Sequence, residues 1–98
     1  MTPRFVFRPR AAAHLREGRR WYAAQAAGLE LEFARAVEAA VAAVSRNPEA
    51  FPGVEPRIRR ILLRRFPYGL YYAIERDRIV VHACYHLRRE PTRWDPCG

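Results

Sequence analysis

The chain changes its apolar period at one place, and that change limits what it can fold into. Before Asn47 the apolar residues recur at helical spacing; after Pro56 they alternate. Leu29, Phe33, Val37, Ala40 and Val44 fall at steps of four, four, three and four, which puts them on one face of a helix. An earlier stripe of Ala11, Leu15, Tyr22 and Ala26 predicts a first helix over 10–26, with Pro9 in its first turn, where a missing N–H costs nothing. Gly28 separates the two, so an antiparallel helix hairpin is expected. The second helix should stop near Asn47, because Pro48 disfavours the α conformation in the residue before it.

Pro48, Pro52, Gly53 and Pro56 predict an irregular loop over 48–56. Beyond it, 57–66 reads as a strand whose arginines fall on both faces, a pattern that implies a bulge, an edge or a bend. Leu70, Tyr72 and Ile74 alternate in a strand over 68–75, and Arg76-Asp77-Arg78 makes a turn. Ile79, Val81, Ala83, Tyr85 and Leu87 alternate in a last strand over 79–87. A short strand at Phe5-Val6-Phe7 precedes the helices, and the tail from Glu90 reads as irregular. The expected fold is α+β in the order β-α-α-β-β-β: an antiparallel sheet, the first strand added to it, with the hairpin packed on one face. Ninety-eight residues make one domain, 1–98, with a thin core that favours reliance on a partner.

Charge narrows the function. The net charge is +8, and all eighteen basic residues are arginine. Codon bias in GC-rich coding DNA accounts for the missing lysine. The chemical consequence is independent of its origin: guanidinium forks bind carboxylates and phosphates bidentately. From Arg57 onward ten arginines stand against Glu75, Asp77, Glu90 and Asp95, a net +6, so a partner surface is expected in the C-terminal half. Arg57, Arg59, Arg60, Arg64 and Arg65 read as a cationic ridge or, more blandly, as a solvated face. No apolar run is long enough for a membrane span, and Met1–Arg10 lacks a signal-peptide core, so the cytoplasm is the expected location. Cys84 and Cys97 lack metal or redox spacing; Cys84 reads as a buried core residue. His82, Cys84 and His86 form an alternating row that is read as coincidence, and no metal or cofactor is expected. His14 reads as a surface or half-buried residue. Trp21 and Tyr22 read as core or groove residues. Trp94, between Arg93 and Asp95, suits a protein interface or folds back over the sheet edge.

Several segments together resemble the RelE/ParE toxin superfamily, in particular its ParE-like or plasmid-stabilisation branch. They are Trp21-Tyr22 and Phe33 in the helices, Asn47-Pro48 followed by Phe51-Pro52, Arg65-Phe66-Pro67-Tyr68-Gly69-Leu70-Tyr71-Tyr72, and His86-Leu87-Arg88-Arg89-Glu90-Pro91 with Trp94. The resemblance covers the whole chain. It implies the toxin of a type II toxin–antitoxin pair, neutralised by an antitoxin expected to be acidic, with operator DNA contacted only through that antitoxin. It also implies one of two targets: DNA gyrase for ParE-like members, or messenger RNA in the ribosome for RelE-like nucleases.

RelE-like nucleases typically carry an arginine after the aromatic that begins the second meander strand. Here Gly69 holds that place, which removes a phosphate-stabilising charge. Against this, some ribosome-dependent members place a histidine and a tyrosine where His86 and Tyr85 stand, as acid and base. On the nuclease reading His86, Tyr85 and Arg65, with Arg88 or Arg89, would be catalytic. On the ParE-like reading Arg57, Arg59, Arg60, Arg64, Arg65, Arg88, Arg89 and Trp94 contact antitoxin or target. The chain is then a protein-binding inhibitor and not an enzyme. A third reading is a chain whose toxicity has lapsed or whose target differs.

Overall fold

The computed structural model describes residues 4–89. Its elements are β1 (Arg4–Phe7), α1 (Pro9–Gln25), α2 (Leu29–Arg46), β2 (Gly53–Glu55), β3 (Ile58–Leu62), β4 (Tyr68–Glu75), β5 (Arg78–His86) and a 3-10 turn at Leu87–Arg89. The strands form one sheet in the order β1-β5-β4-β3-β2. The α+β class and the helix hairpin on one face are as expected. None of the described helices is long and apolar enough to cross a membrane.

The sheet is mixed, not antiparallel throughout. β1 lies parallel to β5, with Phe5 opposite Ile79 and Phe7 opposite Val81. The two are joined through both helices and three strands, and so long a connection leaves the direction of pairing free, as a tight turn does not. A second difference is β2, where an irregular loop was expected. Gly53–Glu55 pairs with β3 at the sheet edge. An edge strand needs partners on one side only, so prolines at its borders are tolerated there. The strand expected over 57–66 is only Ile58–Leu62. Arg65 then takes a left-handed backbone (φ 71°) that turns Phe66 back into the core.

The last strand does not alternate cleanly. Ala83 pairs with Tyr71 and Val81 with Tyr72, which leaves His82 as an extra residue, a β-bulge. Ile79, Val81 and Cys84 consequently join the core under the helices, while Ala83 belongs to a second cluster with Ile58, Tyr71 and Ala73 on the far face. The His82-Cys84-His86 row is thus broken, and the described residues contain no cluster of metal-ligating groups.

Aromatic rings dominate the helix-side core. Phe33 of α2 lies 5.3 Å from Tyr22, 5.3 Å from Phe66 and 5.2 Å from Tyr68, the last two edge to face. Gly18 makes this possible: a Cβ there would stand 2.9 Å from Phe33 Cζ. At the far end the Tyr72 hydroxyl donates to the Pro48 carbonyl at 2.6 Å, and Arg59 Nη1 donates to the carbonyls of Glu49 and Phe51 at 3.0 and 2.8 Å. These bonds hold the loop after α2 against the sheet. Gly18→Ala should therefore destabilise the fold by about 1–3 kcal/mol through overpacking, although alanine favours helix. A urea midpoint equal to or above that of the parent would contradict this account of the interhelical contact.

Candidate partner-binding groove

Of the residues singled out in the sequence, Arg65, Tyr85, His86, Arg88 and Arg89 border one groove at one end of the molecule. A groove of about 840 Å³ opens between α1 and the ends of β4 and β5. One wall is a single face of α1: His14, Glu17, Gly18 and Trp21, at i, i+3, i+4 and i+7. The other wall comprises Arg65 to Tyr68, Cys84 to His86, Arg88 and Arg89. Trp21 is 56% exposed at the rim, and Leu87 beside the groove is 39% exposed.

Two hydrogen bonds shape the second wall. Leu87 N–H donates to the Pro67 carbonyl at 2.9 Å, drawing the 3-10 turn onto the connection before β4. The Arg88 N–H donates to His86 Nδ1 at 3.1 Å, so the imidazole caps the turn that aims Arg88 and Arg89. The His86 ring meets Tyr68 edge to face at 5.2 Å, whereas Tyr85 packs on Tyr71 at 5.7 Å and on His14 at 4.7 Å. Arg65 is extended into solvent, 3.6 Å from a Glu32 that is also exposed, a pairing that contributes little.

The cationic ridge is divided by the fold. Arg59 is turned into the loop after α2, as described above. Arg60 projects on the far face of the sheet, opposite Tyr71 in the β3–β4 ladder. Arg57, and Arg59 with it, lines a second groove of about 920 Å³ with Arg8, Glu55, Glu75 and His82. Arg64 and Arg65 sit at the opposite end of β3, where they line a shallow hollow beside Glu32 and Arg35. Trp94 lies outside the described residues.

His14 is half-buried and has a structural role that its place in the sequence does not signal. Its Nδ1 accepts the Cys84 N–H at 3.2 Å, closing β5 where β1 no longer covers it. Arg8 N–H donates to Val81 O at 3.0 Å, and Arg10 Nε lies 3.5 Å from His82 O, so three successive points of the β1–α1 segment are pinned to β5. Burial depresses the His14 pKa; Glu17 opposes the shift and Arg10 adds to it. Burial likewise depresses that of His82, helped by Arg8 and Arg10 and opposed by Glu75, whose carboxylate is 3.9 Å away. Cys84 is buried and its thiol is pushed up to about 12, so it is inert as a nucleophile. The Tyr68 hydroxyl is raised mainly by burial, with smaller effects of Cys84 and Glu17 in the same direction and of Arg89 in the other.

Comparison with known proteins agrees with this architecture. Residues 5–91 match the model of the ParE toxin of type II toxin–antitoxin systems, parDE. The chain belongs to the ParE toxin family. Membership of such a system implies an antitoxin partner. Among solved structures, a chain described as the chromosomal ParDE TA system from P. aeruginosa is similar at a TM-score of 0.63 and 18% identity, over 87% of this chain and 96% of that one. At that identity the likeness concerns the fold. No curated protein matches the sequence.

His14 and His82 make the family fold here sensitive to acid. Their folded pKa values lie below the usual 6.5, so the unfolded chain binds more protons and stability rises with pH. Stability should be complete above about pH 6.5 and decline as pH falls through the lowered folded values. Urea midpoints measured from pH 7.5 to 5 check this, and a flat profile would show that neither imidazole is held neutral.

Proposed function

We propose that this ParE-family chain inhibits growth by binding DNA gyrase, and that an acidic segment of its antitoxin occupies the groove beside α1. The observation that carries the choice of target is Gly69. A Cβ at this position would meet Tyr71 Oη at 3.0 Å and Arg60 Cδ at 3.1 Å. The Tyr71 ring and the Arg60 stem crowd the point from which a RelE-type nuclease would project its phosphate-stabilising arginine, so a side chain there would require both to shift by a few tenths of an ångström. His86 supports the same reading, because its Nδ1 is engaged in capping the turn. The antitoxin half rests on charge and exposure: Arg65, Arg88 and Arg89 border apolar surface at Trp21, Leu29 and Tyr68, a combination suited to carboxylates and apolar anchors on one segment.

One observation favours ribosome-dependent mRNA cleavage as a second reading. His86, Tyr85, Arg65, Arg88 and Arg89 border a single groove, so an acid, a base and phosphate-binding cations are close together.

Induced expression of the chain alone in a bacterium separates the two. The gyrase reading expects a DNA-damage response and filamentation while translation continues at first. It also expects His86→Ala to remain toxic, with activity reduced by no more than about threefold if the residue only packs and caps. Immediate translation arrest with codon-phased mRNA cuts, abolished by His86→Ala, would replace it with the nuclease reading. For the antitoxin, the association rate should fall at least about tenfold between ~0.05 and ~0.5 M salt, as expected for steering by exposed charge. A rate indifferent to salt would mean that apolar anchors govern capture.

A further inference from the structure

The groove has one feature that an exclusively acidic partner does not explain. Glu17 lies on its α1 wall, between His14 and Trp21, and faces a wall bearing Arg65, Arg88 and Arg89. The residue is exposed and takes part in none of the ion pairs of the described residues. Its charge is felt by both His14 and Tyr68, and Arg89 acts on the same Tyr68 hydroxyl with the opposite sign. Tyr68, Glu17 and Arg89 thus border the same groove, with the carboxylate on the α1 wall and the guanidinium on the opposite wall.

We propose that Glu17 is a specificity residue that sets the register of the bound segment: its occupant carries a basic or amide side chain opposite α1, and carboxylates opposite Arg65, Arg88 and Arg89. This inference rests on the reading that the groove takes an acidic partner segment, and adds which acidic segments it admits. A segment acidic on every side brings a carboxylate against Glu17, and like charges brought together on desolvation oppose binding. A segment with one donor at that point gains a charge-assisted hydrogen bond and loses the repulsion. The helical spacing sharpens the selection. His14, whose Nδ1 is occupied by the Cys84 N–H, presents a neutral ring one turn before Glu17, and Trp21 offers an apolar contact one turn after it. The α1 wall thus reads neutral, anionic, apolar in succession, and the β wall reads cationic. The groove is matched to a segment of mixed charge in a defined order, and net negative charge alone is insufficient.

The test uses the full chain and fluorescein-labelled peptides: hexaglutamate, and a series in which a single lysine replaces glutamate at each position in turn. Binding is read by polarisation for the parent, Glu17→Gln and Arg88→Glu. At the best lysine position, the ratio of lysine-peptide to hexaglutamate affinity should fall about tenfold on Glu17→Gln, the size expected for one charge-assisted contact exchanged for a like-charge clash. Hexaglutamate itself should bind Glu17→Gln more tightly than it binds the parent. If both peptides bind through Arg88 but the ratio is the same in parent and Glu17→Gln, the register role is overturned and the acidic-groove reading survives. Should hexaglutamate affinity be the same in the parent and in Arg88→Glu, the groove is not the acidic site, and the inference falls with it.

Discussion

The backbone of β5 is the part on which the rest of this fold depends. It takes β1 in parallel on one side and β4 antiparallel on the other, and it also anchors α1 through the Arg8 N–H and the side chains of Arg10 and His14. A strand with peptide groups on both sides must satisfy all of them, because a buried unpaired N–H or C=O costs about as much as a lost hydrogen bond. β1 ends opposite Val81, so α1 supplies the partners further along. The bulge at His82 makes the exchange possible. It sends Val81 and Cys84 to the helix side and leaves the His82 carbonyl within reach of Arg10.

The groove is a by-product of the same arrangement. Because α1 follows β5 closely up to His14 and then runs above the aromatic cluster of Tyr22, Phe33 and Phe66, its last turns separate from the end of the strand. Among the side chains that border the space left are several that the core does not use: Glu17 and Trp21 on the helix, Arg88 and Arg89 beyond the strand. Packing explains the interior positions, including Gly18 under the Phe33 ring. It does not explain an exposed tryptophan in one groove with three arginines, and it is on these residues that the proposed recognition rests. In a small domain with net charge +8, a partner that neutralises this end also lowers the self-repulsion of the folded chain.

Much of this was legible in the chain itself, and the parts that were not share a physical cause. Period and punctuation determined the two helices, the meander strands, the Gly28 turn and the helix stop at Asn47, because each depends on neighbours within one or two turns of chain. The arrangement of Phe66, Tyr68, Arg88 and Arg89 followed from residue order closely enough to suggest the family. Only the tertiary structure decided the parallel pairing of β1, the three-residue β2, the bulge at His82 and the division of the arginine ridge. Each of these depends on which distant segment satisfies a given backbone or guanidinium group, and local sequence is nearly silent on that. His14 and Gly18 illustrate the limit: a histidine and a glycine in a helix carry no local signal, and their roles exist only because Cys84 and Phe33 are brought against them.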